Sequence, residues 1–133
     1  MTPSISSSIR VVLAAAFVLF GSLAPAQTPT TGRVMRDKLT HSQKILEAIM
    51  TSDYASLDRE SGELVKATEL PAWSVLKSPE YLRQSAAFVR AIQDLRDAAK
   101  SRDLDAAAMD YMSLTLTCFQ CHRHIKGERI AGK

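Results

Sequence analysis

The feature that most constrains this chain is a pentapeptide close to its C-terminal end, Cys118-Phe119-Gln120-Cys121-His122. On a helix, where successive residues are turned by about 100°, Cys118, Cys121 and His122 fall at roughly 0°, 300° and 40°, so all three project from one face. Two such thiols can each form a thioether bond with a vinyl group of a porphyrin, and the adjacent imidazole can reach the iron. The pattern C-x-x-C-H is typical of this attachment. The sequence therefore predicts one haem c, bound through Cys118 and Cys121, with His122 as an iron ligand.

Two other interpretations of the cysteine pair fit the chain less well. A redox-active disulfide is expected at the start of a helix in a βαβ setting, whereas this pair ends a long helical pattern. A structural zinc site needs four ligands, and beyond the motif the chain offers only His41 and His124 and no third cysteine. Haem attachment is therefore the leading interpretation, and a helical bundle with a redox-active cysteine pair and no haem is the remaining alternative.

Residues 1–26 have the three parts of a secretory signal peptide. Residues 1–10 are rich in serine and end in a positive charge, residues 11–23 are nearly all apolar, and Ala24-Pro25-Ala26 supplies the small residues of a cleavage site. The apolar part has about 13 residues, fewer than the roughly 20 that span a bilayer as a helix. We therefore predict a periplasmic protein whose mature domain is residues 27–133. The alternative is that the segment is not cleaved and anchors the protein in the membrane. We expect no other membrane contact.

The composition limits the partners of this domain. With 46% apolar and 23% charged residues, the chain has the composition of an ordinary globular domain. Its formal net charge is only +3, whereas a protein that binds nucleic acid usually presents a strongly basic face, so we expect no nucleic-acid partner. The sequence contains no recognisable nucleophile–base pair or pair of catalytic carboxylates, and we do not expect an enzyme.

Apolar residues recur at helical spacing in four segments. The first segment has a stripe expected to face inward, and Lys38 lies off that stripe on the face expected to be solvated. Asp53 and Ser78 are capping residues for the second and third segments, and Gly127 is expected to stop the fourth. The apolar connection 71–77, with Trp73, is expected to fold over the core or the haem. The predicted helices are residues 33–51, 53–69, 79–100 and 103–126, and the stripe of the first is Met35, Leu39, Ser42, Leu46 and Ile49.

Four helices joined by short turns predict an all-α protein, an antiparallel up-down four-helix bundle with covalently bound haem. With an export signal, and with C-x-x-C-H on the last helix, the chain resembles the class II c-type cytochromes, the cytochrome c-prime family, over essentially the whole mature domain. In class I cytochromes the motif lies near the N-terminus and a methionine ligand follows far downstream, which the position of Cys118 does not allow. The chain departs from a common pattern of the family, an aromatic residue shortly after the histidine, because Ile125 and Lys126 stand there.

The resemblance implies that His122 is the proximal ligand and that the residue on the other side of the iron comes from the first helix. Members of the family with a methionine there carry electrons, and members with a leucine there have five-coordinate iron that binds nitric oxide or carbon monoxide. Met35 and Leu39 are both available, about 6 Å apart along the helix axis. We predict Met35 as the ligand and keep Leu39, over an open site, as the alternative. Met50 and Met112 compete poorly for the site.

Two histidines outside the motif are not expected to bind the iron, and two basic residues are candidates for contact with the haem carboxylates. His41 is expected to face solvent, and His124, turned about 200° from His122, is expected to point away from the haem. Arg36 and Lys126 are candidate partners of the haem propionates, since arginine suits bidentate contact with a carboxylate.

The function predicted from the sequence is that of an exported one-electron carrier with a single His/Met-ligated haem c, acting between redox partner proteins. A five-coordinate haem protein that binds small gases is the alternative. A homodimer is compatible with the resemblance.

Overall fold

The computed structural model describes residues 28–131, and every regular element within that range is a helix. This confirms the prediction of four helices, while the predicted signal peptide lies outside the described residues. None of the described helices is both long and apolar enough to cross a membrane. The helices are α1 (Thr31–Met50), α2 (Tyr54–Glu69), α3 (Pro79–Ser101) and α4 (Leu104–Ala131), and a single 3₁₀ turn (Pro71–Trp73) lies between α2 and α3.

Local capping chemistry explains where the helices begin. A capping side chain accepts a hydrogen bond from one of the first backbone N–H groups of a helix, which have no partner within the helix. Asp53 accepts from the backbone of Ser56 at 3.0 Å, and Ser78 accepts from that of Tyr81 at 3.3 Å. Both were predicted caps. Thr30 caps α1 in the same way, so that helix begins two residues earlier than predicted.

The prediction that Gly127 ends the last helix is wrong, because α4 continues to Ala131. No described glycine has a positive φ, so Gly127 keeps an ordinary helical backbone rather than the left-handed one that often ends a helix. The cost of a helical glycine is only about 1 kcal/mol. The helix on either side of Gly127 is linked by a side-chain contact one turn apart, in which Nε2 of His124 lies 2.9 Å from Oε1 of Glu128.

The four helices pack into a bundle in which each helix contacts the next along the chain, and α1 also contacts α4. The α1–α4 contact is the least extensive of the four, and two clefts lie along this seam. The centre of the bundle is filled by side chains with almost no exposed surface, contributed by all four helices: Val34, Ile45, Leu57, Leu64, Ile92, Leu95 and Leu114.

The face of α1 that points inward differs from the prediction. Leu39 is 59% exposed and Leu46 is 42% exposed, while Lys38, expected on the solvated face, is buried. The buried face is therefore turned from the predicted stripe by close to the rotation of one residue, about 100°. The prediction was wrong because it excluded a charged residue from the interior. The buried residues of α1 are Val34, Lys38, Ile45, Ala48 and Ile49.

The connection between α2 and α3 folds over the core, as predicted. Trp73 is buried, and its ring lies 5.0 Å from that of Phe88. The hydroxyl of Tyr81 donates a hydrogen bond to the backbone carbonyl of Trp73, which ties the connection to the first turn of α3. The connection thereby becomes one wall of the functional site.

Candidate functional site

The cysteines and the histidine of the C-x-x-C-H motif lie on one turn of α4, as predicted, and face the seam with α1. Cys118 and Cys121 are both half-buried free thiols. Cys118 and His122 line one cleft of the seam, and Cys121 and His122 line a second. The three side chains therefore share the face of α4 that the helical spacing predicts.

The two clefts continue one another along the seam. The first has a volume of about 290 Å³ and apolar walls that include Leu64, Phe88 and Leu114. The second has a volume of about 460 Å³ and is closed on one side by Trp73 and Tyr81. Sites for small molecules and cofactors are commonly concave, mostly apolar and roughly 300–1,000 Å³ in volume. Two half-buried thiols and an imidazole on the rim of such clefts suit a flat, largely apolar macrocycle attached from one side.

Lys38 lines both clefts and is the residue of this site that the helical pattern had placed on the solvated face. It is only 8% exposed, and its Nζ lies 4.0 Å from the centre of the Phe88 ring and 4.8 Å from that of Trp73. Both contacts are within the range of cation–π attraction. Burial lowers the pKa of Lys38, and the nearby thiols of Cys118 and Cys121 partly oppose that shift. The sequence does carry a signal for its burial. Val34, Lys38, Ile45 and Ile49 are spaced 4, 7 and 4 residues apart, which puts Lys38 on the same helix face as three apolar residues.

The surroundings of His122 favour its neutral imidazole. His122 is exposed, but desolvation by neighbouring residues, and after it the charge of Lys38, lower the pKa of its side chain. A neutral imidazole has the nitrogen lone pair that a metal ligand needs. Burial also raises the pKa of the Cys121 thiol, against the opposing charge of Lys38. The thiol therefore stays protonated over a wider range of pH.

The residues predicted to reach the iron from α1 lie at different depths. Met35 is half-buried and lines both clefts together with His122. Leu39 lines only the first cleft and is largely exposed. Met50 is 72% exposed at the far end of α1 and lines neither cleft.

The two predicted partners of the haem carboxylates are not brought together. Lys126 is exposed and lines the second cleft. Arg36 is exposed and lines neither cleft; it lies beside Arg33 and Asp37 on the outer side of α1. Of these two residues, only Lys126 therefore lies beside the motif.

The histidines outside the motif take part in contacts between helices. The expectation that His41 faces solvent is wrong, because it is half-buried and its Nδ1 lies 2.8 Å from Oε2 of Glu60 on α2. His124 lies outside both clefts, as expected, and its Nε2 is 3.1 Å from the hydroxyl of Ser78. Within residues 28–131, no group of three or more His, Cys, Asp or Glu side chains is arranged to hold a metal ion.

The comparisons with known proteins add no relative: no family model matches the chain, and no curated protein and no solved structure matches it.

Proposed function

We propose that this chain is an exported mono-haem cytochrome c of the class II type that carries single electrons between redox proteins. The observation that carries the proposal is that Cys118, Cys121 and His122 share one face of α4 and line apolar clefts, opposite Met35 on α1. The haem would supply the one-electron chemistry, while the protein would supply attachment, axial ligands and a largely apolar surrounding.

Each residue of the motif has a distinct role in this proposal. Cys118 and Cys121 hold the macrocycle through two thioether bonds, and His122 offers a neutral imidazole to one side of the iron. The porphyrin provides four nitrogen donors, so a cluster of protein ligands is not required. Trp73 and Phe88 supply aromatic walls that exclude water from the site.

Met35 is the proposed second axial ligand. It lines both clefts together with His122 and is half-buried, whereas Met50 is distant from them. Thioether ligation raises the haem potential, which suits a carrier. The alternative is a five-coordinate haem protein that binds nitric oxide or carbon monoxide, and it draws on the position of Leu39 at the first cleft.

The proposed arrangement of the helices is an antiparallel up-down bundle. Only residues 51–53 separate α1 from α2, and only residues 102–103 separate α3 from α4, so each of these pairs must reverse direction within a tight turn. Two contacts between helices agree with this arrangement. Asp58 on α2 forms an ion pair with Arg96 on α3 at 2.8 Å, and the hydroxyls of Ser42 on α1 and Tyr111 on α4 are hydrogen-bonded at 3.3 Å.

A surface beside the site suits contact with a redox partner. Met112, Leu116 and Phe119 follow one another on α4 at intervals of 4 and 3 residues, and each is more than half exposed. Leu39 is also exposed and lines the first cleft from the α1 side. We call these four residues the apolar face. Electron transfer requires close approach to the haem, and an exposed apolar face that includes Phe119 of the motif would allow it.

The optical spectrum tests the proposal. The full chain is produced with its N-terminal segment in a host that matures c-type cytochromes, and the periplasmic fraction is assayed for covalently bound haem. Sharp α and β bands in the reduced protein, unchanged by carbon monoxide, are expected for His/Met ligation. Broad high-spin bands that shift with carbon monoxide would favour the gas-binding alternative. Absence of a Soret band would reject both, and the Cys118→Ala/Cys121→Ala double variant provides the matched control without covalent haem.

A further inference from the structure

We infer that the outer side of α4 is the contact surface of a homodimer, in which a second copy of this chain packs its own α4 antiparallel to the first. The contact requires only the folded bundle and no bound group, and it therefore goes beyond the proposed function. It assigns the exposed apolar side chains of α4 to one partner, a second copy.

The helix α4 is apolar on two opposite faces. One face, with Leu114, is buried in the bundle. The other carries four large apolar side chains, each more than half exposed, at intervals of 3, 4 and 3 residues: Met109, Met112, Leu116 and Phe119. The outward face of a helix at the surface of a bundle is usually polar. An alternation of 3 and 4 residues is instead the spacing with which one helix packs along another. The outer side of α4 therefore has the pattern of a helix that contacts a further helix.

One charge of each sign stands at the two ends of this apolar run. Asp105 precedes it and Arg123 follows it; both are exposed, and neither belongs to an ion pair found within residues 28–131. The guanidinium of Arg123 lies 5.6 Å from the centre of the Phe119 ring, which places it along the run. Between the two ends the only Asp, Glu, Lys or Arg is Asp110, which is half-buried and turned about 140° from the run.

We call the four apolar residues together with Asp105 and Arg123 the outer stripe. Its members are placed symmetrically about position 114, at two, five and nine residues to either side. The pairs are Met112 with Leu116, Met109 with Phe119, and Asp105 with Arg123. When two copies of α4 pack antiparallel about a two-fold axis level with position 114, the members of each pair face one another across the interface. Apolar side chains then meet apolar ones, and Asp105 of each copy meets Arg123 of the other.

A parallel packing does not fit the outer stripe. It would bring Asp105 of one copy to Asp105 of the other, and Arg123 to Arg123, so that like charges would meet at both ends. The antiparallel packing instead forms the same ion pair twice. The charges of the outer stripe therefore select one relative direction of the two helices as well as a contact surface.

The dimensions of the outer stripe suit a weak, reversible dimer. Residues 105–123 extend for about 27 Å along α4, and two helices that cross at about 20° can stay in contact along such a length. A contact made mainly by one pair of helices belongs with interfaces below about 1,200 Å², so we expect a dissociation constant in the micromolar range. Met112, Leu116 and Phe119 also belong to the apolar face, and a second copy is therefore a partner that this face fits.

The experiment measures association of the full chain, produced in a host that matures c-type cytochromes, by sedimentation equilibrium over a range of concentrations. We expect a monomer–dimer equilibrium. Leu116→Glu should weaken the dimer about tenfold or more, because it buries a carboxylate against Met112 of the other copy. Leu82→Glu is the matched control, because Leu82 is exposed to nearly the same fraction but lies on α3, and it should leave association unchanged.

Exchange of the two charges tests the antiparallel direction. Asp105→Arg alone and Arg123→Asp alone should each weaken the dimer several-fold, because like charges then meet at both ends of the interface. The double variant Asp105→Arg/Arg123→Asp forms the ion pairs again with their signs reversed, and its dissociation constant should return to within about twofold of the wild-type value. A parallel dimer, or one that uses another surface, would show no such recovery.

Helix content by circular dichroism is measured for every variant, and Leu116→Gln replaces Leu116→Glu if the latter does not fold. A wild-type chain that stays monomeric at every concentration overturns the inference, and so does a dimer that is equally sensitive to the variants at Leu116 and Leu82. Failure of the double charge exchange to recover association also overturns it, since the helices would then not pack antiparallel about position 114. The Soret band of the same samples tests the proposed function separately. Its absence would reject the haem but leave a dimer with the expected recovery intact.

Discussion

Nδ1 of His41 lies 2.8 Å from Oε2 of Glu60, and this contact joins α1 to α2 at a carboxylate that is only 5% exposed. Arg59 donates to Oε1 of the same carboxylate at 3.1 Å, and Nζ of Lys44 lies 3.8 Å from Oε2. The hydrogen bond from His41, then that from Arg59 and the charge of Lys44, hold the pKa of Glu60 below its ordinary value despite its burial. These contacts therefore favour the ionised form of Glu60 in the folded protein.

The first prediction concerns acid stability. Because the pKa of Glu60 is lower in the folded than in the unfolded chain, its contribution is present above the ordinary carboxyl value of 4.5 and is lost as the pH falls through the lower folded value. We expect Glu60→Gln to reduce the free energy of unfolding by about 1–3 kcal/mol at neutral pH, since it weakens hydrogen bonds to a charged group. Urea unfolding of the variant between pH 3 and pH 7 should show a shallower dependence on pH than the wild type.

A matched control for Glu60→Gln is Asp97→Asn, which removes an exposed carboxylate that pairs with Lys100 one turn away. Exposed pairs of this kind contribute little to stability. An equal loss of stability in the two variants would contradict a special role for the buried carboxylate.

The second prediction concerns the core. Leu95 of α3 has no exposed surface and belongs to the central cluster. Leu95→Ala should lower the free energy of unfolding by about 2–5 kcal/mol, because it removes buried apolar surface and leaves a cavity. Leu82, on the same helix, is 56% exposed, and Leu82→Ala should change the free energy by no more than about 0.5 kcal/mol. Denaturant titration of both variants tests whether this side of α3 faces the core.

Much of the fold was predictable because the signals that specify it are local. The caps at Asp53 and Ser78 depend on side chains three residues from the amides that they bind. The common face of Cys118, Cys121 and His122 depends only on helical spacing. These features need no knowledge of which helices are neighbours, and the sequence was sufficient to predict them.

The features that were missed depend on neighbouring helices. Lys38 is compatible with the interior only because Phe88 on α3 and Trp73 in the connection present their ring faces to it. His41 is half-buried because it contacts Glu60, which is 19 residues further along the chain. A rule that keeps charged residues outside therefore places the face of α1 incorrectly.

The third prediction concerns the apolar face. Exchange of electrons between oxidised and reduced copies of the same protein, measured by NMR, requires no knowledge of the physiological partner. If the apolar face is where the haem is approached, Leu116→Glu should slow this exchange several-fold, because two copies would then bring like charges together. Leu82→Glu, an equally exposed position on α3 outside the apolar face, should leave the rate nearly unchanged. Equal rates for the two variants would exclude this face from the contact.

The fourth prediction concerns the ligand from α1. If the sulfur of Met35 reaches the iron, Met35→Ala should convert low-spin to high-spin iron, make the optical bands sensitive to carbon monoxide and lower the midpoint potential, because thioether ligation is lost. Met50→Ala is the matched control, since it removes the same thioether from an exposed position outside both clefts, and its spectrum should not change. The Leu39→Ala variant separates the alternatives. A carbon monoxide affinity that changes in Leu39→Ala, with no spectral change in Met35→Ala, would place the leucine rather than the methionine over the iron. It would also make gas binding the better account of the site.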